Sequence, residues 1–354
     1  VEERSEMFSE LAILAMIDSA GIWLTDNVSF TPRRAETQVA ADLSGAVAGS
    51  RLWPFTLRRA GEVGGSMTVG MPGILTNPWN PLNGSNWVYD AALYRATQDY
   101  GVIPSPYTGL AMPQRIERAE VVATTGLPIG VSDDWVTLEF ADEIVVPEDA
   151  WSDWDAATQT FITAGERFPE GATSNIMSTV YYPADLYDTT WHDGSPLSAA
   201  DFVMSFILTF DIGKEDSPVY DPVEAGSVES FLEGFKGARF VSTDPLVIEW
   251  YSDLYTLDAE NNVTTLYPNY GYGPGAWHNL ALGLLADERK EASFGDLKSE
   301  ELEVEWLSYI SGPALDVLNN PMVGTEDYEG AAATGYVPYA APLADFVPDD
   351  EVAT

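Results

Sequence analysis

Trp191-His192-Asp193-Gly194-Ser195-Pro196-Leu197-Ser198-Ala199-Ala200-Asp201-Phe202 reads as a turn running into a capped helix. Asp193-Gly194 favours a turn with a positive φ at the glycine, which has no Cβ to clash there. Ser198 stands at the N-cap, and Asp201, three residues on, completes a variant of the capping box. Asp201 also lies where the helix dipole favours negative charge. Phe202, Phe206 and Phe210 then recur at helical spacing with Val203 and Ile207 beside them, so the helix carries one broad apolar face to bury. Every residue in the stretch has a structural reason to be there, and none demands catalysis.

On either side of this stretch, strands and helices alternate. Residues 2–18 lack Gly and Pro, and Met7, Phe8, Leu11, Leu14 and Ala15 form an apolar stripe, which predicts a helix. Ile22-Trp23-Leu24 fits a short strand after Gly21. Gly61, Gly64 and Gly65 mark a boundary, and Ser66 to Met71 alternates as a strand does. A Pro/Asn-rich loop from Pro72 to Asn86 leads to a short helix over Tyr89 to Thr97. Trp135 to Phe140 and Ile144 to Val146 read as strands. Phe240-Val241 and Leu246 to Tyr251 read as a hairpin around Asp244-Pro245. Trp277 to Ala286 and Glu300 to Ile310 read as helices. The mixture predicts an α/β fold with a mixed sheet. Residues 321–354 hold no Lys or Arg and are rich in Gly, Ala, Pro and acid, the composition of an extended tail.

Charge bounds the partners. The 354 residues carry 16 basic and 56 acidic side chains, a net charge of −40, with lysine only at 214, 236, 290 and 298. Such a surface repels phosphate backbones and excludes nucleic-acid binding as a function class. Carboxylates spread along the whole chain fit a protein kept soluble where salt screens their repulsion, so stability is expected to rise with salt. There is no cysteine, hence no disulfide, thiolate metal site or cysteine nucleophile. No run of about 18 apolar residues is present, and no basic segment followed by an apolar one reads as a secretory signal within these residues.

The run from His192-Asp193-Gly194 through Asp201-Phe202-Val203 resembles family 5 bacterial solute-binding proteins, the dipeptide, oligopeptide and nickel binders of ABC importers. Thr243-Asp244-Pro245-Leu246-Val247-Ile248 resembles the strand pair that follows in that family, and Gly65-Ser66-Met67-Thr68-Val69-Gly70 its first strand. Glu3-Arg4 through Ile22-Trp23-Leu24 resembles its late helix and strand, but here that segment comes first. The resemblance implies a periplasmic-binding-protein-like type II fold, a mixed β-sheet lobe with flanking helices, in which two lobes close over a ligand. It divides the chain into residues 1–60, like the family's late helix-strand part; 61–320, a first-lobe-like α/β domain; and 321–354, the acidic tail. The altered order leaves three explanations: a window from a longer, incomplete two-lobe protein, a permuted or tandem arrangement, or a chance likeness of residues 1–60. A longer parent with rearranged pieces is the favoured one. By the same resemblance the protein is extracytoplasmic, captures a peptide or other small solute and hands it to the ABC permease subunits in the membrane. It needs no cofactor and is not an enzyme.

Pockets of this kind use aromatic walls and backbone hydrogen bonds at loops off strand ends. The loop after the expected first strand offers Trp79, Asn80, Asn86, Trp87 and Tyr89, and a second aromatic group comprises Tyr270, Tyr272, Trp277 and His278. Of these, Trp79, Asn80, Asn86, Trp87, Tyr89, Tyr272 and Trp277 are the candidate ligand contacts; packing within the lobe is the competing role for the same side chains. A carbohydrate-binding or carbohydrate-active protein is the main rival, with tryptophan platforms and Asp149, Asp153, Asp155 or Glu166 as paired carboxylates. His192 and His278 are the only histidines, and neither has a second ligand at helical spacing, so no metal site is expected. Neither a Gly-x-Ser-x-Gly elbow nor a phosphate loop is present.

Overall fold

The computed structural model describes residues 2–18, 32–42, 46–71, 73, 77–83, 87–98, 100–217, 219–265, 275–318, 343 and 346. Seven strands form one mixed sheet: β1 (Arg118–Thr124), β2 (Val136–Ala141), β3 (Trp151–Asp155), β4 (Thr160–Thr163), β5 (Ile176–Tyr181), β6 (Phe235–Thr243) and β7 (Leu246–Ser252). Their order is β2-β1-β5-β7-β6-β3-β4. Only the β1–β2 pair is parallel; every other neighbour is antiparallel.

The two-residue period of the strands sorts their side chains onto two faces. Val121, Ser178 and Trp250 lie in one row across β1, β5 and β7, and Val122, Met177 and Tyr251 lie in the next. The first row faces the large core, which also holds Ile176, Val180 and Ile248. The second faces a smaller cluster around Ile144, Val146, Ala150 and Ala164.

Four helices cover the large core, α1 (Ala199–Asp211), α2 (Pro222–Gly234), α3 (Ala259–Thr265) and α4 (Trp277–Glu288), and α5 (Asp296–Leu302) packs on Ala292–Ser293 and Glu305–Trp306. The phenylalanine stripe of the opening motif explains the seating of α1. Phe206 sits 6.1 Å from the Trp151 ring and 6.2 Å from Phe240, and Phe202 meets Tyr182 edge-on at 5.2 Å. Phe210 continues the row to Phe231 and Phe235. The far end of α1 is tied by Asp211, which is fully buried; it accepts from Trp154 Nε1 at 2.6 Å and Ser217 Oγ at 2.7 Å. Those bonds satisfy a carboxylate that would otherwise be costly to bury.

The helix expected at the start runs over Glu2–Asp18, yet Phe8, Leu11, Met16 and Ile17 are between 61% and 73% exposed. The helix near residue 90 spans Val88–Thr97, and the hairpin around Asp244-Pro245 is β6–β7 with a cis peptide at the proline. The strand Ile22–Leu24 lies outside the described residues.

Three expected elements differ. Ser66 to Gly70 is exposed and Met71 half-buried, and the segment pairs with no described strand, so its alternation does not give one buried face. Ile144 and Val146 are buried, but their backbone makes only a local bridge at Val145 and Thr173 with two hydrogen bonds, too short for a strand. The helix expected over Glu300 to Ile310 is α5, which stops at Leu302. Glu303 turns left-handed at φ 56°, and Glu305–Trp306 (β9) pairs in parallel with Ala292–Ser293 (β8). Trp306 Nε1 donates to Phe294 O at 2.9 Å and Leu307 N to Ser293 O at 2.8 Å, and these tertiary bonds outweigh the helical preference of the acidic run.

Two residues within 321–354 reach the core. Leu343 is 1% exposed, and Phe346 lies 6.0 Å from Trp151 and 5.9 Å from Phe240. Across the glycine boundary, the short helices Ala46–Gly49 and Trp53–Thr56 pack on the helix Val88–Thr97, and Arg51 stacks 5.0 Å above the Tyr100 ring.

Candidate ligand-binding site

The N-terminus of α1 is built as the motif suggests, with one addition. Ser198 is the N-cap in extended conformation (φ −139°, ψ 170°), and Asp201 Oδ2 accepts from its backbone N at 2.9 Å. The other oxygen, Oδ1, accepts from the backbone N of Trp277 at 2.8 Å. Trp277 is the first residue of α4, whose N-cap is Ala276, a residue with no side-chain acceptor. Asp201 therefore caps its own helix and supplies the missing cap of a second, with both positive helix ends aimed at one buried carboxylate.

The turn before α1 touches α4 as well. Gly194 has φ 92°, as an Asp-Gly turn requires, and Trp191 N donates to Ser195 O at 2.8 Å. Asp193 Oδ1 accepts from Ser195 N at 2.9 Å and from its hydroxyl at 2.6 Å, and Asp193 Oδ2 lies 3.3 Å from His278 Nε2. Burial raises the Asp193 carboxyl pKa, but the Ser195 hydroxyl and amide and the neighbouring His278 outweigh it, and the net shift is downward.

The loop 77–83 is fastened beside this junction by Asn80. Its Nδ2 donates to Phe294 O at 3.2 Å and Leu307 O at 3.0 Å, and its Oδ1 accepts from Leu82 N at 3.2 Å and Asn83 N at 2.7 Å. Its amide is thus fully engaged with main chain, and the residue is 5% exposed. Tyr309 N donates to Trp79 O at 2.8 Å, and Asn83 Nδ2 lies 3.4 Å from Asp221 Oδ2. A Cβ on Gly275, just before α4, would meet Pro81 at 3.7 Å, so this loop and the start of α4 touch.

The structure thus brings Trp79, Asn80 and Trp277 to one region, in different roles. Asn80 holds the loop and presents no free amide, and Trp277 is 7% exposed within the large core with its ring 5.7 Å from His278. Trp79 is half-buried. Tyr89 is also half-buried, its ring lying against Gly73, where an added Cβ would be 3.2 Å away. Trp87 is 54% exposed. Asn86, Tyr270 and Tyr272 lie outside the described residues.

Asn83, Asp221 and Tyr309 were not singled out by the sequence. Asp221-Pro222 carried a signal, since an N-cap acid before an N1 proline is a helix start, and Asp221 does accept from Val223 N at 3.0 Å. Nothing in the sequence pointed to its contact with Asn83.

The carboxylates available for sugar chemistry are each engaged elsewhere. Asp153 pairs with Lys214 at 2.6 Å, and Asp149 lies 3.6 Å from Arg239. Asp155 is held below the usual range by the amide of Thr158, and Glu166 by the amide of Thr163, whose helix it caps. Neither lowered acid is tuned to donate a proton near neutral pH. Among the described residues no group of three or more His, Asp or Glu side chains is placed to hold a metal ion, and no helix is long and apolar enough to cross a membrane. Neither a family model nor a curated protein matches the chain.

Proposed function

We propose that the chain is an extracytoplasmic solute-binding protein, the capture component of an ABC importer, which takes a peptide-like ligand on a periplasmic-binding-protein-like type II lobe and passes it to the membrane permease. The observation that carries this reading is the double role of the Asp193-to-Asp201 motif. Its two carboxylates contact successive residues, His278 and Trp277, at the start of α4. They thereby fix a helix end beside the loop 77–83 that carries Trp79. Trp79, Trp87 and Tyr89 then serve as ligand-facing aromatics, while Asn80 positions the loop that carries Trp79. An acidic surface suits cationic peptides through long-range attraction.

The test is a thermal-shift screen of di- and oligopeptides against oligosaccharides at constant salt. A ligand at a hundredfold excess over its Kd stabilises by about 2.7 kcal/mol, a shift of a few degrees. Stabilisation by peptides, lost in Trp87→Ala with the unliganded Tm unchanged, is the expected result. Stabilisation by oligosaccharides alone, or their hydrolysis, would overturn the proposal.

A further inference from the structure

On one side the seven-stranded sheet ends at β2, which pairs with β1 and with no other described strand. Ala119 N donates to Trp135 O at 2.9 Å and Thr125 N to Ala141 O at 2.8 Å, which sets the phase of the parallel ladder. Thr137, Glu139 and Ala141 therefore turn their main-chain groups toward β1, and Val136, Leu138 and Phe140 turn theirs to the free edge. An open row of amides and carbonyls is a template for a further strand. The edge is held at its start, where Glu260 Oε1 accepts from Ser132 N at 2.5 Å and Asp133 N at 2.6 Å. The opposite edge, β4, is only four residues long and passes directly into the turn capped by Thr163.

Side chains at this edge sort by the two-residue period. On the core side Val136 is buried and Leu138 half-buried against the large core, but Phe140 is 49% exposed. An added strand would cover Leu138 and Phe140. On the other side Thr137 and Glu139 are exposed. Charge then decides the kind of strand. Residues 131–143 hold Asp133, Asp134, Glu139, Asp142 and Glu143, all exposed, and no Lys or Arg. Among the described residues none of the five is ion-paired. Arg118 on β1 is held by Glu120 and lies 3.5 Å from the centre of the Tyr181 ring. A second copy pairing through the same edge would set these carboxylates against their own kind. The charges that guard the edge against self-pairing thus favour a basic strand.

We propose that the β2 edge captures an extended basic segment of a partner polypeptide as an added strand. Its Lys or Arg side chains face Glu139 and the flanking carboxylates, and its apolar side chains face Leu138 and Phe140. Main-chain bonds to residues 136, 138 and 140 supply attachment, and the alternation of basic and apolar side chains supplies the choice of partner. This inference does not rest on the solute-binding reading.

The test is fluorescence anisotropy of labelled six-residue peptides, the length of β2, with the intact chain at constant low salt. Lys-Val-Lys-Val-Lys-Val should bind, and Glu-Val-Glu-Val-Glu-Val should not. Lys-Lys-Lys-Val-Val-Val has the same charge but cannot place basic and apolar groups on opposite faces, so it should bind about tenfold more weakly. Two forms of the alternating peptide, N-methylated at the lysines or at the valines, test the ladder. The form whose methyls face β2 should lose binding, and the other should keep it. Glu139→Gln should weaken binding about two- to fivefold, and Phe140→Ser by a similar factor. Both positions are exposed, so neither change should disturb the fold. Equal binding of the block peptide, retention by both N-methylated forms, or no effect of either substitution would overturn the proposal. So would self-association abolished by Phe140→Ser in sedimentation velocity without peptide binding, which would assign the edge to a second copy.

Discussion

Asp201 Oδ1 accepts the backbone N–H of Trp277 at 2.8 Å across 76 residues of chain, and through that bond the start of α1 holds the start of α4. Asp201 is fully buried and its other oxygen is committed to Ser198 N, so no water stands ready to replace it. Asp201→Ala should therefore orphan two buried amides. Each costs about 1–3 kcal/mol, and loss of a cap alone costs about 1. The expected loss is about 3 kcal/mol in urea unfolding at fixed salt. Asp201→Asn, which keeps one acceptor oxygen, should lose roughly half as much. A loss below about 1 kcal/mol for the alanine variant would show that the amides find other partners.

Asn80 joins the loop 77–83 to the β8–β9 pair through Phe294 O and Leu307 O. Asn80→Leu keeps the approximate volume and removes all four bonds, so it should cost about 2–4 kcal/mol. The loop should also open to proteases at Trp79 before global unfolding. Limited proteolysis read by mass spectrometry separates this from a uniform loss of stability.

Asn80 also shows how far the sequence could be read. Its presence in a Pro/Asn-rich loop was visible, but its partners lie 214 and 227 residues away, and no local pattern encodes such a pairing. The capped helix α1 was legible because its signals are local: Ser198, Asp201 and the phenylalanine spacing all sit within one element. Asp201's second bond was not, because it needs the position of α4. Ser66 to Met71 marks the opposite limit, where strand-like alternation is present and no described strand pairs with it. Acid-rich 300–310 failed for a related reason, since β9 is held by Ser293 and Phe294 against its helical propensity.

The Asp193 turn gives a pH dependence with a definite sign. Its folded pKa lies below the unfolded value, which is about 3.9. The contribution is fully present above that value and is lost as pH falls through the lower folded one. The stability gap between the parent and Asp193→Asn should therefore close in acid. Asp193 is partly exposed, so the gap should be small. A gap that stays open in strong acid would reverse the assignment.

Gly283 tests two opposed effects within α4. Alanine in a helix interior is favoured over glycine by about 1 kcal/mol, so on propensity alone Gly283→Ala should stabilise. At this buried position, however, an added Cβ would come within 2.2 Å of Tyr309 Oη and 2.4 Å of Phe294 Cζ. Both rings belong to the packing around β8–β9, and Tyr309 is further fixed by its hydroxyl, which donates to Asn279 O at 2.9 Å. Relieving the clash means moving one of these rings or shifting α4, an overpacking cost of about 1–3 kcal/mol that also breaks the Tyr309 bond. The clash wins, and Gly283→Ala should destabilise by about 1–3 kcal/mol. Gly283→Ala combined with Tyr309→Phe should recover part of that loss, because the nearest clashing atom is gone. A stabilised single variant in urea unfolding would mean that α4 sits farther from Tyr309 than the packing here requires.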